Sequence, residues 1–164
     1  MFVGNHETGK YGFIDKMGQM VIAPRFDQAE SFSDGLAMVI KTGRWGFIDK
    51  KGVITSLAQF NAAEHFREGR AAVRLGDDKT GKWGFVDKTG KVIITPKFEW
   101  VTNFYDGLAQ VSPSDDTIGR VEFIDKTGKL VINQPFDMAW HFSDKLCRVR
   151  IGDNKTGKWG YISR

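Results

Sequence analysis

Apolar residues along this chain come in short bursts of strand length, not in the long three-to-four-residue stripes of amphipathic helices. The runs "AAVRL" (71–75), "KWGFVD" (82–87) and "KVIIT" (91–95) are rich in β-branched and aromatic residues and are divided by polar, glycine-bearing stretches, so they read as a three-stranded antiparallel meander. Between the second and third runs, "DKTG" has turn chemistry: Asp87 accepts a downstream amide and Gly90 supplies positive φ. Val92, Ile93 and Ile94 are apolar at consecutive positions, as are Leu130, Val131 and Ile132, which predicts cover on both faces of the sheet. The next stretch, "PKFEWVTNFYDG" (96–107), reads as an irregular or briefly helical connection ending in a turn.

The pattern repeats. The steps "YGFID", "WGFID", "WGFVD", "VEFID" and "WGYIS" begin at residues 11, 45, 83, 121 and 159, at intervals of 34, 38, 38 and 38 residues. Gly18, Gly52, Gly90 and Gly128 recur in register, as do Phe26, Phe60, Phe98, Phe136 and the later Phe32, Phe66, Phe104, Phe142. The one short interval comes from a loop: "VIKTGRW" (39–45) is a trimmed form of "VRLGDDKTGKW" (73–83), a change that loop-closure entropy tolerates. Periods of this length mean stacked or radially arranged units. The prediction is a single all-β array of tandem three-stranded meanders of about 38 residues, forming an open solenoid or a propeller-like arc. Its units run approximately 1–34, 35–68, 69–106, 107–144 and a partial 145–164.

Composition agrees. Nineteen Gly and 13 Phe against only 4 Pro suit many tight turns between short aromatic strands. A net charge of +4 is mild, and no dense run of like charges supplies a nucleic-acid footprint. Cys147 is alone, so no internal disulfide can form. No basic region followed by an apolar run opens the chain and no stretch is long and apolar enough to span a bilayer, so the expected location is the cytoplasm, or outside the cell if a leader has been removed.

Several motifs invite chemistry. "GDDKTGKWG" (76–84), with relatives at 4–12 and 152–160, approaches a phosphate-binding P-loop, but Trp83, Trp159 and Tyr11 stand where Ser or Thr would reach a metal, and a strand follows instead of a helix. The column Asp15, Asp49, Asp87, Asp125 fits turn capping better than catalysis. His6 falls in a loop, and His65 and His141 share one column without a coordinating neighbour, so no metal is expected. Cys147 shares a column with Ala37, Ala71 and Ala109 and reads as a small core residue. No constellation of nucleophile, base and orienting group is present; neither catalysis nor a cofactor is expected.

These residues resemble the WG, or KWG, tandem repeat family. The copies "KWGFVDKTGKVIITPKFEWVTNFYDGLAQV" and "RWGFIDKKG" carry the resemblance, which covers essentially the whole chain. It implies a bacterial-type β-repeat module that acts as a binding or scaffold element, with no catalytic residues. The chain departs from the pattern at Val121 and Glu122, at "ITSLAQF" (54–60), which lacks the proline, and at Lys145 in place of glycine.

Function is therefore sought where copies disagree or charges align. Lys10, Arg44, Lys82, Arg120 and Lys158 all precede the aromatic-glycine step and are expected to form a cationic stripe on stacked units. Trp100 replaces the Gln28, Ala62 and Met138 of its column, and Trp140 replaces Glu30, Glu64 and Thr102 of another; together with His141 they are candidate partner contacts. The expected function is a non-catalytic scaffold for protein–protein interaction. The alternative is binding of an anionic or glycan polymer through the stripe and the tryptophans. Self-association through an unpaired strand edge is a further expectation.

Overall fold

The computed structural model describes residues 2–3, 9–57, 60–77, 79–113 and 120–163. His6 and most of the first P-loop-like stretch lie outside them. Among the described residues every element is a strand. β1 (Phe2–Val3), β2 (Lys10–Ile14) and β3 (Met20–Phe26) form one antiparallel sheet. β4 (Gln28–Ala29), β5 (Leu36–Lys41), β6 (Arg44–Asp49) and β7 (Ile54–Leu57) form a second, in chain order. A third sheet holds β8 (Ala62–Ala63), β9 (Ala71–Leu75), β10 (Lys82–Val86), β11 (Val92–Val101), β12 (Leu108–Pro113), β13 (Val121–Asp125) and β14 (Leu130–Phe136). β15 (Met138–Ala139), β16 (Leu146–Ile151) and β17 (Lys158–Ser163) complete the set.

The second and third units are thus three-stranded meanders preceded by a two-residue strand, β4 and β8; before the fourth the end of β11 takes that place, the first is β1–β3 alone, and among the described residues the last has two strands after β15. The predicted irregular connection is instead a strand that bends: β11 pairs with β10 through Val92, Ile94 and Phe98, then with β12 through Phe98, Trp100 and Val101. Elsewhere a single residue, Asp27 or Asp137, breaks the same path, and each still donates its amide across the sheet, to the Ile40 and Arg150 carbonyls. Backbone pairing through the bend satisfies groups that a helix would have had to satisfy internally. The first half of each third strand is a sheet edge, which corrects the expectation of cover on both faces. Ile94 is buried, but Val92 is 39% and Val131 45% exposed at the rim. Pro24 and Pro96 sit on such edges, beside the register shifts opposite Gly12 and Gly84, and blunt them against further pairing. The second unit lacks the proline and pairs more regularly there, with Gly46 opposite Leu57 and Phe47 opposite Ser56.

Two turn types set the register. In the "DKTG" column the Asp carboxylate accepts amides two and four residues on, as Asp87 does from Thr89 and Lys91, and Asp125 from Thr127 and Lys129. Asp34-Gly35, Glu68-Gly69 and Asp106-Gly107 form two-residue turns with positive φ at both positions, the hairpin geometry that matches strand twist. In the fourth such turn Lys145 takes the glycine's place at φ 64°. Lys145→Gly should therefore raise stability by about 0.5–1 kcal/mol, since a side chain is disfavoured in that region and the glycine's extra unfolded freedom offsets part of the gain. An unchanged or lowered urea midpoint would show that the turn is unstrained.

The turns also tie one unit to the next. Asp34 accepts the Gly69 amide at 2.6 Å, Glu68 that of Gly107 at 2.9 Å and Asp106 that of Lys145 at 3.3 Å. Lys88 and Lys126 add ion pairs to Asp34 and Glu68. The resulting pKa shifts fix a pH dependence. The Lys88 ammonium lowers Asp34, the Thr89 hydroxyl lowers Asp87 and the Thr127 hydroxyl lowers Asp125, all from the ordinary 3.8. A carboxylate whose folded pKa is depressed stabilises the fold above its unfolded pKa and loses that contribution as pH falls through the folded one. Urea midpoints should be level from neutral pH to about pH 5 and drop steadily through and below 3.8; a midpoint that held constant to pH 2.5 or so would contradict the turn chemistry.

Among the described residues four apolar clusters lie between successive units, one of them inside the seven-stranded sheet. In each junction the phenylalanine of a second strand meets one from the following connection: Phe13–Phe32, Phe47–Phe66, Phe85–Phe104 and Phe123–Phe142, with ring centroids 4.9, 4.7, 4.9 and 5.3 Å apart. The isoleucine or valine after it points the other way, so Ile48, Val86 and Ile124 pack on the preceding unit. The array stays open and does not close into a barrel.

Candidate functional site

The glycine-rich loops come first because they resemble phosphate sites. In the loop after β9 the Asp77 carboxylate accepts the Lys79 and Thr80 amides and the Thr80 hydroxyl, at 2.9, 2.6 and 2.9 Å. Asp153 holds Lys155 and Thr156 in the same way after β16. Amides that a P-loop offers to phosphate are here taken by the chain's own anion, and the Thr80 and Thr156 amides pull both carboxylates below 3.8.

The cations of the expected stripe open the second strands of successive units, at Lys10, Arg44, Lys82 and Lys158, with Arg120 just before β13. Strand pairing places an acidic residue, within the third strand or just past its end, beside two of them. Lys10 pairs with Asp27, and Lys82 with Glu99. Arg44 and Lys158 are exposed. The stripe is thus interrupted by charge matching inside the units, and exposed pairs of this kind contribute little to stability.

Trp140 and His141 behave differently. The short connections that lead into the first strands of successive meanders lie side by side across the units and leave a groove of about 380 Å³, lined by Glu64, Thr102, Asn103, Tyr105, Gln110, Trp140 and His141 among others. It is built from the same columns of three consecutive units. Glu64, Thr102 and Trp140 share one column, while Asn103 and His141 share the next. The Tyr105 ring stacks on His141 with centroids 4.5 Å apart, and the Arg67 guanidinium covers the other side of Tyr105 at 4.0 Å. Trp140 is 53% exposed, and its carbonyl accepts the Cys147 thiol at 2.8 Å, which anchors the backbone while the ring stays at the surface. A second depression, of about 290 Å³, continues the line through Ser31, His65, Arg67 and Asn103. Asn103 borders both.

These repeated sheets, their turn carboxylates and the aromatic pairs at every junction are one structural theme in four settings. Four stretches, residues 11–45, 45–79, 83–112 and 123–159, match the WG containing repeat family. The chain belongs to that family. No curated protein and no solved structure matches it. In its WG steps Trp45 and Trp83 are half-buried against the junction clusters, and Trp159 is exposed under Arg148, whose guanidinium lies 3.9 Å from the ring. The glycine of the step makes room for its own unit's third strand, not for a neighbouring unit: a Cβ on Gly84 would stand 2.3 Å from the Ile94 carbonyl oxygen.

Trp100 does not join the groove. It is 44% exposed on β11, opposite Ser112, while its successors Val101 and Thr102 line the depression. The sequence reading missed Arg67, Tyr105, Gln110 and Asn103. The signal for Gln110 was mixed: its column holds Met38 and Ala72, which point into junctions, but also the polar Arg148. Cys147 is buried, which pushes its thiol up to about 11. Among the described residues no group of His, Cys, Asp or Glu is arranged to hold a metal, and no helix is long and apolar enough to cross a membrane.

Proposed function

We propose that this WG repeat array is a non-catalytic scaffold that binds another protein along the groove over Tyr105, Trp140 and His141. The observation that carries the reading is the groove's origin: it runs across three units and is lined by columns in which the units differ, whereas the columns that hold the fold are alike. A scaffold's needs repeat with its units; a partner's do not. Exposed tryptophan is also among the residues that most often anchor protein interfaces, and the groove offers Trp140 beside the half-buried Tyr105 and hydrogen-bonding groups.

The other reading, an anionic or glycan polymer held by the cations and the tryptophans, draws support from the Trp140 ring and from exposed Arg44 and Lys158. It is weakened by the carboxylates beside Lys10 and Lys82. A photoreactive amino acid at position 140, compared with one at exposed Val21 away from the groove, separates the two in lysate of the native host. The expected result is a discrete protein adduct at 140 alone, unaffected by excess heparin. An adduct that is a glycan, or that heparin abolishes and salt weakens, would overturn the protein-binding reading.

A further inference from the structure

Buried polar atoms almost always have partners, so those that lack one in the protein are informative. Two line the same groove. Gln110 is 4% exposed on β12, and its Nε2 finds no hydrogen-bond partner in the protein; neither does the buried Oδ1 of Asn103. Of its column counterparts, Met38 and Ala72 fill apolar junctions and Arg148 is exposed to solvent, so Gln110 alone combines burial with a polar side chain whose amide nitrogen is left unpaired. The backbone around Gln110 is fully used: its N–H donates to Thr102 Oγ1 at 3.0 Å and its carbonyl accepts the Thr102 amide at 2.9 Å. Only the side-chain Nε2 is left over.

We infer that Gln110 and Asn103 form a receptor for a carboxamide, the side chain of an asparagine or glutamine in an extended segment of the partner protein. This rests on the protein-binding reading above and narrows it. A carboxamide presents one acceptor and one donor in a single plane, the complement of the Gln110 N–H and the Asn103 oxygen. A carboxylate offers acceptors only and would meet the Glu64 carboxylate in the same groove; an ammonium offers donors only and leaves Gln110 unpaired. The flat Trp140 ring and the Tyr105–His141 stack flank the site and suit the planar faces of an extended peptide. Glu64 favours a basic residue next to the amide-bearing one.

The probe is the peptide Gly-Phe-Asn-Arg-Gly, acetylated and N-methylamidated, titrated into the isotopically labelled protein and followed by NMR. Its controls are the same peptide with Asp for Asn, and di-N-acetylchitobiose, which carries acetamido groups on a sugar. The expected result is saturable shifts at the Trp140 indole and the Gln110 side-chain amide, with affinity at least about tenfold lower for the Asp peptide. Gln110→Met, which installs the residue at Met38, should abolish the shifts while melting no lower than the parent, because it removes an unpaired buried amide. The inference is overturned by equal binding of the Asn and Asp peptides, by a Gln110→Met variant that binds as the parent does, by a groove that answers only the disaccharide, or by no saturable shift at all. Any of these with the protein adduct at position 140 intact removes the carboxamide receptor and leaves the scaffold reading standing.

Discussion

Phe85→Ala is expected to destabilise the array by about 3–5 kcal/mol, the range for large aromatic truncations in cores. Phe85 is fully buried and meets Phe104 edge-on at 4.9 Å, across the junction between the third and fourth units. Because a repeat array is held by its nearest-neighbour interfaces, the loss falls on that junction and should split one cooperative transition into two. Calorimetry reads both effects. A single transition lowered by less than about 1 kcal/mol would mean that the junctions contribute little to the array's stability.

The second large effect is expected at Gly84. An alanine Cβ there would lie 2.3 Å from the Ile94 oxygen, 2.7 Å from the Pro96 nitrogen and 2.9 Å from the Pro96 Cα, all backbone atoms that no rotamer change can move. The third strand would have to lift off β10, so Gly84→Ala should cost about 3 kcal/mol, at the upper end of overpacking penalties. Gly160 provides the control in the same column. Nothing lies within 4 Å of its would-be Cβ, and Gly160→Ala should change stability by less than about 0.5 kcal/mol. Glu122 also occupies this column with the register unchanged, and nothing in the structure explains how β14 makes room for it. Equal effects at Gly84 and Gly160 in denaturant titrations would show that the close approach is not what selects glycine.

Much of this architecture was legible in the sequence because repetition averages out local ambiguity. The 71–75 strand, the Asp-capped "DKTG" turns and the small-residue column holding Cys147 all emerge as expected, since each depends on spacing and turn chemistry that recur in several copies. The bend was not legible. "PKFEWV" carries a proline and has no strict alternation, and only the offset pairing of β11 with two different partners reveals it as strand. The site was half legible, for a related reason. Trp140 and His141 stand out as departures from their columns, but Arg67, Tyr105, Gln110 and Asn103 become neighbours only once the units stack. The tryptophan pair was misleading in the same way. Trp100 and Trp140 lie in matching connections, yet they occupy columns two positions apart, and only one of the two lines the groove.

The most direct test of the claim that the differing columns carry the function is to make them alike. Tyr105→Ser, Gln110→Met, Trp140→Glu and His141→Ser, combined in one chain, install residues found at the same places in other units: Ser33, Met38, Glu64 and Ser31. The account predicts a melting temperature within a few degrees of the parent, since three of the four side chains lie at or near the surface and the fourth replaces an unpaired amide, together with complete loss of the protein adduct read by a photoreactive group at position 65, in the adjoining depression. A levelled array that folds as the parent does and still gives the same adduct would contradict it.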